Sequence, residues 1–308
     1  MELFTDNLKT QYLKENDLVI DIESTGVHRE FCQIQVVGLL SNKDSDNFLQ
    51  LTAQDSKHEK ELLERLKIEM EGKNIISFNG INFDLPFIYA RMLFHGIEEP
   101  TISGHFDIYT YLIENRFFFD NQGFSLQSME QTLGLDRKEN FELPSDQQFY
   151  SVIEDVKFAQ ICLHNKYDLI NTEKLLSFTN ELRQNRILEL DINNKINKLY
   201  LKSIKLNNNK CSVIFESNEP SNHYYSQSLI SLIWKDNKIV IEFPVVEGYI
   251  APMQLAYVHI QSSEPYLVDF SSFSLDPRLL VILFNKKIVL KNVLKLSKMI
   301  IKNFINKE

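Results

Sequence analysis

A chain of 308 residues, 44% hydrophobic and 24% charged, has ordinary globular composition and enough length for two domains. No run reaches the ~18 uncharged apolar residues of a membrane-spanning helix, MELFTDNLKT has neither the basic nor the apolar region of a secretory signal, and Cys32, Cys162 and Cys211 form no CxxC pair. These features argue against a membrane span, a disulfide frame and a structural zinc site, and lead us to expect a cytoplasmic protein that makes no use of a membrane. The net charge of −9 is unevenly spread: residues 1–180 hold 16 Lys+Arg against 30 Asp+Glu, whereas residues 181–308 hold 17 against 12. The acidic part is a poor polyanion binder unless metal ions offset its charge, and the basic part is the better candidate for contact with nucleic acid.

Asp17–Ile22 (DLVIDI) predicts a strand ending in acids. Gln33–Leu40 and Asn47–Leu51 predict two more, with the turn residues SNKDSD between them. Ser56–Met70 places Leu62, Leu63, Leu66 and Met70 at helical spacing. Asn74–Phe78 reads as a short buried strand, Asp84–His95 as an amphipathic helix closed by Gly96, and His105–Asn115 as a strand end running into a helix. Ser125–Leu133 is a helix with Ser125 as N-cap and Gly134 as its stop. A polar connection, residues 136–148, leads into a long helix over Val152–Asn180, with Leu163, Leu169, Leu175 and Leu176 on its apolar side. This alternation predicts an α/β fold, a mixed sheet flanked by helices, over residues 1–184. From residue 185 to 308 the runs KINKLYLKSIKL, KCSVIFES, SLISLIW and KIVIEFPVV predict a smaller β-rich domain. Lys235-Asp236-Asn237-Lys238 reads there as a hairpin turn, and a helix from Asn285 to Asn306 closes the chain.

Three groups of residues carry possible chemistry. In DIESTG, Asp21 and Glu23 lie two apart at a strand end, so both side chains point to one face. Two adjacent carboxylates repel, and are tolerated when solvated or when a divalent cation sits between them; alone, the pair reads first as a solvated strand end before the Thr25-Gly26 turn. In FNGINFDLPF, Asn79-Gly80 turns the chain after a buried strand and Asp84 opens a helix, where it could also serve as a cap. That strand end falls on the same sheet edge as Asp21 and Glu23, the edge at which α/β folds collect ligands. In HNKYDLINTEKLL, His164 and Asp168 are four apart and share a helix face.

Taken together, acid-x-acid on a first strand, Asn-x-x-x-Phe-Asp after a later one and His-x-x-x-Asp in a closing helix resemble the DEDD-type nucleases of the ribonuclease H-like superfamily. The closer resemblance is to the predicted bacterial exonucleases called YprB-like, through FNGINFDLPFIYARMLFHG, HFDIYTYL, SLQSMEQTLGL and LHNKYDLINTEKLL, and it covers residues 15–180. The resemblance implies a ribonuclease H-like sheet and a 3′–5′ exonuclease of DNA or RNA. It also implies two Mg²⁺ or Mn²⁺ ions roughly 3.5–4 Å apart, held by Asp21, Glu23, Asp84 and Asp168, with Asp21 bridging both. His164 would orient or deprotonate the attacking water. The chain departs here from the two familiar subtypes: one has a His five residues before the last Asp, where Leu163 stands, and the other a Tyr four before it, where His164 stands. Thr25 and Gly26 resemble the segment that approaches the terminal nucleotide through its backbone, or are a plain turn. Asn79 either touches the substrate backbone or caps the adjoining helix. His105 and Asp107 fall at the rim of the implied site, where Asp107 reads first as a helix N-cap. The alternatives to an exonuclease are a structure-selective endonuclease with the same site and a non-catalytic nucleic-acid-binding subunit.

Near the C-terminus Lys287, Lys291, Lys295, Lys298 and Lys302 fall within an arc of about 80° at ~100° per residue. Val289, Val293, Leu296, Ile300 and Phe304 occupy the opposite face. The stripe reads first as a solvated face, next as a track for phosphates through Lys291, Lys295 and Lys298, and last as a membrane-surface contact. Trp234, Tyr224, Tyr225 and Tyr249 are either core or base-stacking residues.

Overall fold

The computed structural model describes residues 1–116, 118–119, 123–135, 155–192, 195–207, 209–227 and 229–305. The chain folds as two compact units, one of Met1–Asn115 with Asn121–Asn180 and one of Arg116–Asp120 with Glu181–Glu308. Among the described residues no helix is long and apolar enough to cross a membrane.

The first unit contains β1 (Glu2–Asp6), β2 (Asp17–Ser24), β3 (Ile34–Ser41), β4 (Phe48–Thr52), α1 (Ser56–Met70), β5 (Asn74–Ser77), α2 (Asp84–Phe94), β6 (Gly104–Asp107), α3 (Ile108–Glu114), α4 (Leu126–Leu133) and most of α5 (Asp155–Gln184). One six-stranded sheet has the order β1-β4-β3-β2-β5-β6. Strand β3 is antiparallel to β2 and β4, whereas β2, β5 and β6 are parallel. The C-terminal ends of those three parallel strands therefore share one edge of the sheet. Alternation along β2 sends Leu18, Ile20 and Ile22 into the core built with α1 and α2, which turns Val19, Asp21 and Glu23 to the other face. Helix α1 begins where Asp55 accepts from the His58 N–H at 2.9 Å, and buries Leu62, Leu63, Leu66 and Met70 as their spacing predicts. Helix α4 has the expected Ser125 N-cap, and Gly134 ends it in the left-handed region at φ 63°. The mixed sheet flanked by helices is thus as expected. Two details differ: strand β1 was not anticipated, and Leu163 is 43% exposed, so it does not belong to the apolar side of α5. The connection 136–148 and the expected helix start at Val152 lie outside the described residues.

The second unit is β-rich and ends in a helix, again as expected. It contains β7 (Ile187–Ile192), β8 (Lys195–Asn207), β9 (Lys210–Gln227), β10 (Ile230–Pro244), β11 (Val246–Ala251), β12 (Gln254–Ile260), β13 (Leu279–Phe284), β14 (Lys287–Ile288) and α6 (Leu290–Ile305). Two antiparallel four-stranded sheets have the orders β10-β9-β8-β7 and β11-β12-β13-β14. Their core brings Phe215, Trp234, Phe243, Leu280 and Ile282 together with Val293, Leu296 and Ile300 of α6. Lys235-Asp236-Asn237-Lys238 is not a hairpin turn. Strand β10 runs through it, and the hairpin reverses instead between Gln227 and Ile230. The register jumps from Asp236↔Ser221 to Lys238↔Glu216, so the extra residues bulge from β9. The turn-forming chemistry serves that bulge: Asp236 takes φ 53°, and Asn237 Nδ2 donates to the Ser217 carbonyl at 2.9 Å. Lys287 belongs to β14 and the last helix starts at Leu290, five residues later than expected, because Asn285 and Lys286 take positive φ in the tight β13–β14 turn. The expected helix end at Asn306 lies outside the described residues.

Candidate active site

Asp21 and Glu23 are the half-buried positions of the β2 alternation, near the edge where the parallel strands end. Asp84 is the first residue of α2 and is 5% exposed. It does not cap its helix, whose N-cap is Phe83. Its Oδ1 accepts from the Ile22 N–H of β2 at 3.0 Å, tying the start of α2 to the strand that carries the other two acids. Asp168 comes from α5, with His164 Nε2 3.5 Å from its Oδ2. The four carboxylates feel one another. Burial first, then the charges of Asp168, Asp84 and Glu23, push the Asp21 carboxyl well above its ordinary value, against a hydrogen bond from Asn165 that lowers it. Burial raises Asp84 to about 7 over the pull of the Ile22 N–H, and Asp107 and Asp168 push in the same direction. Strand β2, the start of α2 and α5 therefore bring Asp21, Glu23, Asp84 and Asp168 into one electrostatic neighbourhood.

Asn79 sits at φ 68°, its carbonyl accepting from the N–H groups of Asn82 (3.1 Å) and Phe83 (3.2 Å). Asn79 builds the turn before α2 and is not that helix's cap. A Cβ on Gly80 would stand 2.5 Å from Ser77 Oγ and 3.3 Å from Asp84 Oδ2, so glycine here leaves room beside the second Asp84 oxygen. Thr25 Oγ1 accepts from the Gln33 N–H at 2.9 Å, and Gly26, whose carbonyl accepts from Ser24 Oγ at 2.8 Å, is closed against Cys32. Asp107 is the N-cap of α3, accepting from the Thr110 N–H at 2.8 Å. Its other oxygen accepts from Ser77 Oγ (3.0 Å), which also contacts His105 Nε2 (2.7 Å). Burial lowers the His105 pKa and Asp107 opposes that shift. Three residues escaped the sequence reading: Asn165, Gln50 and Gly38 form a buried bridge to Asp21, described below. The one local signal was Gly38, a glycine inside the apolar run QIQVVGLL, which marks a close approach to a strand.

In the second unit Lys291 and Lys295 lie over the Phe270 ring, at 5.4 and 3.8 Å from its centroid. Lys291, Lys295 and Lys302 are exposed and Lys298 is half-buried. Trp234 is buried and Tyr225 stacks on Phe304 at 3.6 Å, so both are structural, whereas Tyr224 and Tyr249 are exposed. A cleft of about 780 Å³ opens on the β7–β10 sheet between Ile214, Ile233 and Val240, with Lys202, Lys235 and Lys238 at its rim. Glu216 and Asp236 offset those lysines, and Lys202 pairs with Glu216. Charge therefore does not mark this cleft for phosphates.

The donor set on β2, α2 and α5 is all oxygen, the chemistry of Mg²⁺ or Mn²⁺. Among the described residues no three carboxylate, imidazole or thiol groups are gathered into a ready metal cage. What fits a cation is the excess of buried negative charge and the space kept open at Asp84 by Gly80. A six-stranded mixed sheet, with β3 reversed between β2 and β4, carries these acids where its parallel strands end. The family model described as RNase_H superfamily matches residues 18–180, more than half of the chain, and the protein belongs to that superfamily of nucleases. No curated protein matches it. Among solved structures it is similar to the family B DNA polymerase of Pyrobaculum calidifontis at 14% identity, over 53% of this chain and 24% of that one, with a TM-score of 0.38. It is also similar to E. coli exonuclease I in complex with a dT13 oligonucleotide (10% identity, 65% and 54% covered, TM-score 0.31). A third similarity is to Brucella melitensis NrnC bound to pGG (15% identity, 56% and 84% covered, TM-score 0.32). The chain thus spans about a quarter of the polymerase and about half of exonuclease I.

Proposed function

We propose that the first unit is a metal-dependent 3′–5′ exonuclease that hydrolyses phosphodiester bonds of DNA or RNA, of the YprB-like kind. The observation that carries this reading is that three separate elements bring Asp84, tied to β2 by the Ile22 N–H, and Asp168 close enough to Asp21 and Glu23 for Asp21 to feel the charge of the other three. Four carboxylates facing a phosphodiester would repel it, so charge balance asks for cations as much as chemistry does. Asp21, Glu23, Asp84 and Asp168 would hold two Mg²⁺ or Mn²⁺ ions. When bound, these would supply a Lewis acid for water activation and for the leaving oxygen. The Ile22 N–H fixes one oxygen of Asp84 and leaves the other, beside Gly80, for a ligand. His164, 3.5 Å from Asp168, would take the proton of the attacking water. The backbone at Thr25 and Gly26, with Asn79, would receive the terminal nucleotide. Lys291, Lys295 and Lys298 would add phosphate contacts that do not depend on sequence.

The test is degradation of end-labelled single-stranded DNA and RNA with Mn²⁺, Mg²⁺ or EDTA, comparing wild type with Asp21→Ala. A metal-dependent ladder that shrinks from the 3′ end and is lost in the variant supports the exonuclease. Discrete internal cuts would make it a structure-selective endonuclease. Binding without cleavage of single-stranded, duplex or flap substrates would make it a non-catalytic subunit and sink the proposal.

A further inference from the structure

A single row of residues runs across three strands of the first unit, because Asp21 of β2 pairs with Gly38 of β3 and Gly38 pairs with Gln50 of β4. Residues directly opposite one another project from the same side of a sheet. The side chains of Asp21 and Gln50 therefore rise on either side of a position that has none. Helix α5 covers that side, and Asn165 fills the gap: a Cβ on Gly38 would stand 2.2 Å from Asn165 Oδ1 and 2.4 Å from Leu169 Cδ1. Asn165 is 0% exposed.

The hydrogen bonds leave its amide one orientation. Gln50 Nε2 donates to the Cys162 carbonyl at 2.9 Å and to Asn165 Oδ1 at 2.8 Å. Asn165 Nδ2 in turn donates to the Asp21 carbonyl at 3.0 Å and to Asp21 Oδ2 at 2.8 Å. Reversing the amide would set two NH₂ groups against each other at Gln50 and oxygen against oxygen at Asp21. Three residues on, one turn along the same helix, α5 carries Asp168.

We propose that Asn165, oriented by Gln50 across the bare backbone of Gly38, is a positioning residue that presents the Asp21 carboxylate to divalent cations in a single rotamer. The inference rests on the metal-dependent nuclease reading. Groups that hold a ligand from behind tune its metal: losing one typically weakens binding or activity roughly 10–100-fold. Because α5 supplies both the clamp on Asp21 and the Asp168 carboxylate, one rigid element sets both, and a shift of the helix disturbs the two together.

The experiment is Mn²⁺ titration of the full chain, followed by the electron paramagnetic resonance of the free ion. Wild type, Asp21→Ala, Asn165→Ala, Gln50→Leu and the Asn165→Ala/Gln50→Leu double variant are compared, with metal-free thermal unfolding recorded beside each. Asn165→Ala should weaken Mn²⁺ binding about 10-fold or more. Gln50→Leu, which leaves Asp21 and Asn165 in place, should weaken it by a smaller factor. The double variant should bind no worse than Asn165→Ala alone, since Gln50 acts only through Asn165. In cleavage assays kcat should fall while KM for the nucleic acid holds. Unchanged Mn²⁺ affinity in a folded Asn165→Ala, or losses that simply add in the double variant, would overturn the proposal. Should Asn165→Ala not fold, Gln50→Leu decides the matter by the same readout. Wild type that binds no Mn²⁺ would overturn the nuclease reading and this inference with it. That failure is told apart by the absence of any wild-type affinity for Asp21→Ala to remove.

Discussion

Asp84→Asn should make the protein more stable in metal-free buffer at pH 8 while destroying its response to Mn²⁺. The amide keeps the oxygen that accepts from the Ile22 N–H at 3.0 Å, and replaces a buried charge with a group that can donate to its acidic neighbours. The burden it removes follows from the Asp84 carboxyl, whose pKa rises from the usual 3.8 to about 7. Near pH 3 the carboxyl carries its proton in the folded and the unfolded chain, and the burial costs nothing electrostatic. Between about 4 and about 7 the unfolded chain releases the proton and the fold retains it, so stability drains away as pH rises; above about 7 the loss is complete. Some three pH units at ~1.4 kcal/mol each set a ceiling of about 4 kcal/mol. Asp21 responds to the same charge, so the strain is shared and about 2 kcal/mol is the expected gain. For a unit of this size that raises the unfolding midpoint by about 4–8 °C. The assay is thermal unfolding of wild type and variant from pH 4 to 8 in EDTA, then in Mn²⁺. The two should nearly coincide at pH 4 and diverge by pH 8, and Mn²⁺ should lift wild type alone. Midpoints that stay parallel across the whole range would refute the claim that a strained carboxylate sits at the start of α2.

Other perturbations separate the framework from the site. Glu59→Ala strands Arg91, which is 3% exposed and now gives two hydrogen bonds to Glu59 at 2.8 and 2.7 Å; a loss of about 3–5 kcal/mol in urea unfolding is expected. Gly38→Ala forces its methyl against Asn165 and Leu169 and should cost about 1–3 kcal/mol in the same measurement. His164→Ala should lower kcat about 100-fold or more, with Mn²⁺ affinity and unfolding midpoint preserved; a drop of less than about threefold would leave proton removal to another group.

What could be read in the sequence follows how local each signal is. Helix α1 runs over Ser56–Met70 as its leucine spacing predicts, and Ser125 and Gly134 bound α4, because periodicity, N-cap and left-handed stop all act within a turn or two. Strand β1 escaped: its residues are largely exposed and its ladder partners in β4 lie more than forty positions away. The four-residue KDNK segment misled because a hairpin and a bulge call on the same residues, and only the distant partner strand decides between them. At the site, Asp21, Glu23, Asp84 and Asp168 could be picked out from short spacings. The bridge from Gln50 through Asn165 to Asp21 could not, since its members lie 115 and 144 positions apart and meet only when α5 lies on the sheet.

The first unit buries carboxylates in two contrasting ways, and the contrast bears on what the second way is for. Glu59 is fully buried, yet it accepts from Arg91, His95 and the Ile34 N–H. Burial alone would raise its pKa; those partners outweigh it and hold the carboxyl below its ordinary value. Its charge is therefore worth most above the normal carboxylate range and fails as acid protonates it. Asp21 and Asp84 receive only amide and backbone donors, and among the described residues neither forms an ion pair. Their carboxyls move up instead, and each adds to the strain on the other. A fold able to seat an arginine and a histidine against Glu59 has the means to neutralise a buried acid. Among the described residues it seats no cation against Asp21 or Asp84, and so leaves their strain in place near the edge where the parallel strands end. Such an edge relaxes when a divalent cation arrives. Chelation should therefore loosen this unit near neutral pH while leaving the Glu59 network intact, and amide hydrogen exchange at Ile22 and Ile34 would register the two effects separately.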